Sequence, residues 1–229
     1  TNRPISKQCQ KIGGRPQPQI AVPRIGHTVP PTHLGLRGHD AEATLRIVTL
    51  LPDEAVNDTD REIIDRARAW AHEVVAPMSE TWERERRFAS EAFASAGEHG
   101  LTSLIAPPEV GGAGMGSVAL ARVLEEIAAV DFAVAFSLVV HNNLVGALSR
   151  APASPLRDRV LQPMIAGELL GAFLLTEPGV GSDAAAITTT ARRDGDEWVI
   201  SGAKAWVSNA AAADVLSVYA QTDESLGHR

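Results

Sequence analysis

The apolar spacing of this chain changes once, at Gly167, and that change decides what the chain can fold into. Between residues 53 and 166 apolar side chains recur at helical intervals; beyond Gly167 they alternate. A period of 3.6 residues buries one stripe of a helix, and a period of two buries one face of a strand. Helices gathered in one stretch and strands in the next predict an α+β assembly, because the strands lack the interleaved helices that a parallel doubly wound sheet needs.

In the helical stretch, Asp60 reads as an N-cap. Ile63, Ile64, Ala67, Trp70, Ala71, Val74 and Val75 come next as one apolar face that Pro77 ends. Trp70 on that face is assigned to the core. A second helix is expected over 89–99 with Gly100 at its C-cap, and the proline- and glycine-rich segment 106–116 is expected to be a loop. Ser117 then caps a helix reaching about Ala129, and further helices are expected at 132–148 and 155–166, the latter opened by Ser154-Pro155. The longest apolar run, Phe132 to Val140, is bracketed by Asp131 and His141 and is too short to cross a bilayer, so it is read as a buried core helix. His141 is read as a hydrogen-bonded core or lining histidine rather than a base.

Strands are expected over 170–176, 187–193, 196–201, 203–208 and 214–220, with Asp194-Gly195 marking a hairpin. Residues 1–52 have no such order. Pro4, Pro16, Pro18, Pro23, Pro30 and Pro31 interrupt any period and aromatics are absent, so this part reads as a disordered extension. His27, His33 and His39 recur every six residues, a spacing that suits neither a helical metal pair nor a finger, and no metal site is assigned.

Charge narrows the partners. Residues 1–50 carry seven Lys/Arg against Asp40 and Glu42, which leaves 14 basic and 26 acidic residues in the remainder. An acidic body argues against nucleic acid. The single Cys9 can form no internal disulfide, which fits a cytoplasmic location, and no membrane attachment is expected.

Two polar segments in the alternating region carry the chemistry. In Leu175-Thr-Glu-Pro-Gly-Val-Gly-Ser-Asp183 a strand ends at Thr176, and Pro178, Gly179 and Gly181 impose a tight turn; glycine permits positive φ and close approach of backbone to a ligand. In Gly202-Ala-Lys-Ala-Trp-Val-Ser-Asn209, Trp206 and Ser208 lie two apart on the expected strand and so share a face, an indole beside a hydroxyl. The pair suits a flat, anionic ligand. Gly179 to Ala184 also spells the G-x-G-x-x-A dinucleotide fingerprint, but that pattern needs a helix after it, and Ile187-Thr-Thr-Thr190 favours strand. Glu177 and Asp183 are read as turn-stabilising groups, and Lys204 as a structural or solvated lysine.

These two segments resemble the paired signatures of the acyl-CoA dehydrogenase family, flavoproteins that bind FAD. The resemblance extends through Ala106-Pro-Pro-Glu-Val-Gly-Gly-Ala-Gly114, Leu124-Glu-Glu-Ile127 and Val140-His-Asn-Asn-Leu144, and covers about residues 53–220. It implies an N-terminal helical domain over 53–169, then an antiparallel β-barrel domain over 170–229 that is incomplete here, with FAD between them and a later helical domain. It implies flavin contacts from Phe173, Leu175, Thr176, Gly181, Ser182, Trp206, Val207 and Ser208, with Ser182 also reaching the CoA part of the substrate. The hydroxyl of Ser208 stands where family members more often carry Thr.

The reaction implied is α,β-dehydrogenation of an acyl-CoA, with an electron-transfer flavoprotein as acceptor and a homo-oligomeric complete enzyme. Its catalytic base is a Glu expected beyond residue 229, and no residue of this chain is assigned to it. The chain does not begin with Met and stops at Arg229 within the expected β domain, so a longer product is expected and this chain alone is expected to be inactive. Two other functions stay open: a non-catalytic remnant or split-enzyme subunit, and a flavin oxidase or monooxygenase of the same fold.

Overall fold

Asn57 opens the first helix. Its side-chain oxygen accepts from the Asp60 N–H at 2.9 Å and its Nδ2 donates to the Asp60 carboxylate. The cap therefore lies three residues before the expected Asp60, whose amide and carboxylate both bond the Asn57 side chain. The computed structural model describes residues 56–223. The expected extension over 1–52, with its three histidines, lies outside the described residues.

Helix α1 (Asp58–Trp70) buries Ile63, Ile64, Ala67 and Trp70, and runs into a π-helical turn over Ala71–Val75. Trp70 is a core residue, with its indole N–H donating to Ser95 Oγ at 3.1 Å. A short helix, α2 (Ser79–Glu85), has no counterpart in the sequence reading. Every residue of its segment except Trp82 is polar or charged, and Trp82 alone is buried, so no apolar period announces it. Arg86, in left-handed conformation, ends it.

Helix α3 (Ser90–Glu98) closes at Gly100, whose φ of 69° is the one the expected C-cap requires. The loop after it contains a single 3-10 turn over Pro108–Val110 and folds back through bonds from Gly114 N to Ala106 O and Met115 N to Leu104 O, both 2.8 Å. Helices α4 (Ser117–Ala128), α5 (Phe132–Arg150) and α6 (Pro155–Ile165) match expectation within two residues at each end. Asp131 and Ser154 cap α5 and α6; α4 begins after Gly116 without a side-chain cap.

At 19 residues α5 is longer than its apolar run suggested, and by length and composition alone it could cross a membrane. Here half of that stretch lies inside the fold, Val134, Leu138, Leu144 and Val145 included, while Phe132 and Phe136 stand exposed. It packs against α4, α6 and β1.

Four strands come after the helices: β1 (Gly171–Leu174), β2 (Thr190–Asp194), β3 (Glu197–Ser201) and β4 (Val215–Val218). Strands β2 and β3 form the expected hairpin, turned at Gly195-Asp196 with Gly195 at φ 65°. The other pairing departs from an antiparallel plan. Strand β1 pairs with β4 in parallel, Gly171 opposite Val215 and Leu174 opposite Val218, a pairing that the long intervening connection allows. Gln221 then ties this pair to β2, its N–H donating to Thr189 O and its carbonyl accepting from Ala191 N, both at 2.8 Å. The described residues thus form a helical domain and a partial sheet with both kinds of pairing.

Two buried polar side chains of α5 fasten it to its surroundings, Asn142 within the helical part and His141 across to the sheet. The Asn142 amide donates to Leu101 O and Leu138 O, and its oxygen accepts from Leu104 N at 2.7 Å. His141 Nε2 donates to Met164 O and Nδ1 accepts from Gly171 N, both at 3.0 Å, so one imidazole in one tautomer joins α5, α6 and β1. Gly171 has no room for a side chain here: a Cβ would sit 2.8 Å from Met164 Cε and 3.0 Å from Leu144 Cδ2. His141 is therefore the hydrogen-bonded core histidine that the sequence suggested.

Burial pushes the His141 ring down to about 4, from 6.5 for an exposed imidazole. The unfolded chain binds a proton that the folded chain refuses between those two values, so stability is lost as pH falls through that window. The expected outcome is a urea-unfolding free energy that declines from pH 6.5 to 4, with up to about 3 kcal/mol of the decline due to His141. The decline becomes shallower in His141→Gln. Parallel profiles for the two proteins would remove the ring from this role.

Candidate functional site

The end of β1 is set by chemistry rather than by propensity. Beyond Leu174 the backbone carbonyls leave the ladder: Leu175 O accepts from Lys204 Nζ at 3.0 Å and Thr176 O accepts from Ala205 N at 2.9 Å. The chain then makes a tight turn in which Glu177 N donates to Val180 O and Val180 N donates back to Glu177 O, at 3.0 and 3.1 Å. The strand therefore ends at Leu174, two residues before the expected Thr176, while the turn is where the sequence placed it.

The Glu177 side chain organises the chain beyond this turn. One carboxylate oxygen accepts from Thr188 N and the Thr188 hydroxyl, both at 2.7 Å. The other accepts from Thr189 N at 2.9 Å and from Lys204 Nζ at 2.8 Å. The pair is desolvated, with side-chain exposures of 8% for Lys204 and 3% for Glu177. Burial would raise the carboxyl, but Lys204, Thr189 and Thr188 outweigh it and hold the group well below the usual carboxylate range. Glu177 is thus a stabiliser of its turn, as expected, and Lys204 is the structural lysine of the two alternatives weighed.

The same bonds explain why β2 begins at Thr190 rather than at the expected residue 187. The amides of Thr188 and Thr189 are taken by the carboxylate, and a 3-10 turn at Ala184–Ala186 precedes them. The expected strand over 203–208 does not form. Gly202 sits at φ 155°, Trp206 at 56° and Asn209 at 67°, and two left-handed residues three apart exclude a strand ladder. Trp206 and Ser208 therefore do not share a strand face, contrary to expectation. A left-handed conformation costs a non-glycine residue about 1–2 kcal/mol, so Trp206 is held there by its surroundings.

Those surroundings are Lys204 on one side and Asn209 on the other. The Asn209 amide donates to Ser137 O on α5 and to Gly171 O on β1, both at 3.1 Å. Between the anchors, Trp206 is 81% exposed, an unusual setting for an indole, while Val207 and Ser208 are half-buried. The structure brings Leu175 and Thr176 directly against this segment through the bonds to Lys204 and Ala205. Phe173 lies further back on β1 with its ring 4.7 Å from that of Tyr219.

Gly181 and Ser182 stand exposed past the turn. Neither Gly179 nor Gly181 has positive φ, which corrects that expectation, and a Cβ on either would meet nothing within 4 Å. The N–H groups of Gly181, Ser182 and Asp183 donate to no backbone or side-chain group among the described residues. Backbone that is bare, glycine-lined and rich in unused donors can lie close against an anion or a ring edge.

Sequence reasoning did not anticipate the anchoring role of Asn209, or of Asp214, which accepts from Leu170 N at 2.9 Å. The signal for Asn209 was present in its residue type, since asparagine tolerates the left-handed region better than other non-glycine residues.

Comparison with known proteins adds the family context. Residues 57–168 match the family model described as acyl-CoA dehydrogenase, N-terminal domain, and residues 172–229 match the middle domain. The mitochondrial short-chain specific acyl-CoA dehydrogenase of Bos taurus is 34% identical over 185 residues, 80% of this chain and 45% of that protein. A chain in the structure of the electron transferring flavoprotein of Acidaminococcus fermentans superposes with a TM-score of 0.69 at 29% identity, covering 75% of this chain and 46% of that one. A glutaryl-CoA dehydrogenase from Mycobacterium smegmatis in complex with FADH2 gives a TM-score of 0.69 at 30% identity, covering 75% and 44%. The chain spans a little under half the length of each of these relatives.

The tightest packing in the site yields a direct test. A Cβ on Gly202 would lie 2.4 Å from Thr189 Oγ1 and 2.6 Å from Thr189 Cα. Gly202→Ala is expected to lower stability by about 2 kcal/mol in urea unfolding. Gly181→Ala, with nothing near its Cβ, is expected to leave stability unchanged. Equal effects from the two would contradict this packing.

Proposed function

This chain belongs to the acyl-CoA dehydrogenase family, and from that premise we propose that it forms part of an FAD-dependent enzyme that dehydrogenates acyl-CoA thioesters between the α- and β-carbons. The observation that carries the reading is Trp206. An indole 81% exposed, in a left-handed backbone and anchored on both sides, offers a fixed apolar plane to a flat ligand. The bare turn at Gly179–Ser182 fits the same ligand, since nothing fills the space where side chains would be.

In this reading Trp206 and Val207 lie against the isoalloxazine ring, and the Ser208 hydroxyl donates a hydrogen bond to it. Phe173, Leu175, Thr176, Gly181 and Ser182 follow the cofactor along β1 and the turn, and Ser182 also meets the CoA part of the substrate. FAD, when bound, supplies the two-electron acceptor for the hydrogen that leaves the β-carbon. The protein's share is to hold that acceptor in a fixed, partly dry setting and to aim a hydroxyl at the ring. Glu177 takes no part in proton transfer, because all its lone-pair directions are occupied by Lys204, Thr188 and Thr189. The base that takes the α-proton is proposed to come from beyond residue 229.

The helical domain is taken as 53–169 and the middle domain as 170–229, whose strands are proposed to join an antiparallel barrel with further chain. An electron-transfer flavoprotein is the proposed acceptor of the electrons. The similarity to a chain from such a system supports it.

Calorimetric titration of the 229-residue chain with FAD tests the proposal. One equivalent of FAD is expected to bind; an absence of binding heat together with free flavin on gel filtration would end the reading. Trp206→Ala is expected to weaken FAD by about tenfold or more with the unfolding midpoint unchanged. Trp70→Ala, from the core, is expected to cost about 3–5 kcal/mol of stability instead. Equal flavin loss in both variants would leave Trp206 without a ring contact.

A further inference from the structure

The segment from Lys204 to Asn209 is fastened on both sides of its exposed tryptophan and free between. On one side Lys204 Nζ reaches Glu177 Oε1 and Leu175 O at 2.8 and 3.0 Å, and Ala205 N reaches Thr176 O at 2.9 Å. On the other, the Asn209 amide spans Ser137 O and Gly171 O. The first fastening ends on the chain just past β1 and the second on β1 and α5, all far away in sequence. A buried ion pair is a poor way to gain stability, because two apolar groups of similar volume do as well or better. What an ion pair and a bidentate amide do supply is direction.

We propose that Glu177, Lys204 and Asn209 are positioning residues, which together hold the backbone at Trp206 left-handed and the indole outward, in place before any ligand arrives. The proposal rests on the flavin reading for its ligand and on the hydrogen bonds above for its mechanism. None of the three residues needs to touch the cofactor. Glu177 acts through Lys204, and Lys204 and Asn209 act through the peptide chain that joins them to Trp206. Pre-organisation of this kind lowers the ordering cost at binding, so its loss is read as weaker affinity.

Glu177→Gln in the full chain supplies the test, with two measurements. The first needs no flavin. Lys204 is a trypsin site whose side chain is buried in the pair, and freeing it exposes the Lys204–Ala205 bond. Cleavage there is expected to quicken by about tenfold in Glu177→Gln. The second is FAD affinity, expected to weaken by about tenfold, as for loss of a charged hydrogen bond. Ile63→Ala, which loosens the helical core, serves as the control and is expected to move neither readout.

An unchanged cleavage rate, or quicker cleavage with FAD affinity within about twofold of the unaltered chain, overturns the proposal. So does an equal change in Ile63→Ala. If Glu177→Gln does not fold, Asn209→Gly takes its place. Glycine keeps the left-handed backbone and removes the amide, and the same two shifts are expected. If the unaltered chain binds no FAD, it is the flavin reading that fails, and the cleavage rates alone decide whether the latch exists.

Discussion

The Glu177 carboxylate accepts from two backbone amides, a threonine hydroxyl and a lysine ammonium, and how it shares them out sets the geometry of the β region. A carboxylate taken out of water must find donors. Those nearest are the amides of Thr188 and Thr189, which would otherwise have extended β2, and the ammonium of Lys204, which draws the 204–209 segment against the end of β1. One desolvated charge thereby ends one strand, delays another and prevents a third.

The helical part depends on an equivalent device of opposite character. Asn142 and His141 are neutral polar groups buried in a mostly apolar helix, and each bonds backbone groups of other parts of the chain. Asn142 serves the irregular chain at Leu101 and Leu104, where α3 has ended. His141 serves the last turn of α6 and the first residue of β1. Apolar packing of α5 against its neighbours would tolerate small slides along the helix axis; these directional bonds do not. The site thus stands on a floor whose register is fixed, with Asn209 bonded to the same helix at Ser137 and to the same strand at Gly171.

Much of this was legible in the sequence, for identifiable reasons. α1 and α4 to α6 carry long apolar periods, and Ser154-Pro155 and Gly100 mark helix ends with residues whose chemistry suits those positions. The change to alternating residues at Gly167 located the sheet. α2 was invisible, because a helix held by Trp82 alone has no period to show. The strand ends were also invisible, since they depend on a carboxylate 11 and 12 residues from the amides it captures. At the site, the adjacency of the Thr176 and Trp206 segments came from the resemblance and is real. The local conformation at Trp206 is hidden in the sequence, because residues 203–208 alternate like a strand while the φ values at Trp206 and Asn209 exclude one. The parallel pairing of β1 with β4 could not be read from either strand, as both are short and neither encodes a direction.

The β2–β3 hairpin stands apart from all of this. All five residues of β3 are exposed, Trp198 and Ile200 among them, and the hairpin is joined to the remainder of the sheet chiefly through Gln221. Its shape comes from its own turn and cross-strand bonds rather than from any shared interior. Evolution can therefore recolour its surface, or lengthen its tip at Gly195-Asp196, without renegotiating the core. In a chain whose other elements are so tightly interlocked, this is the region most open to the acquisition of new contacts.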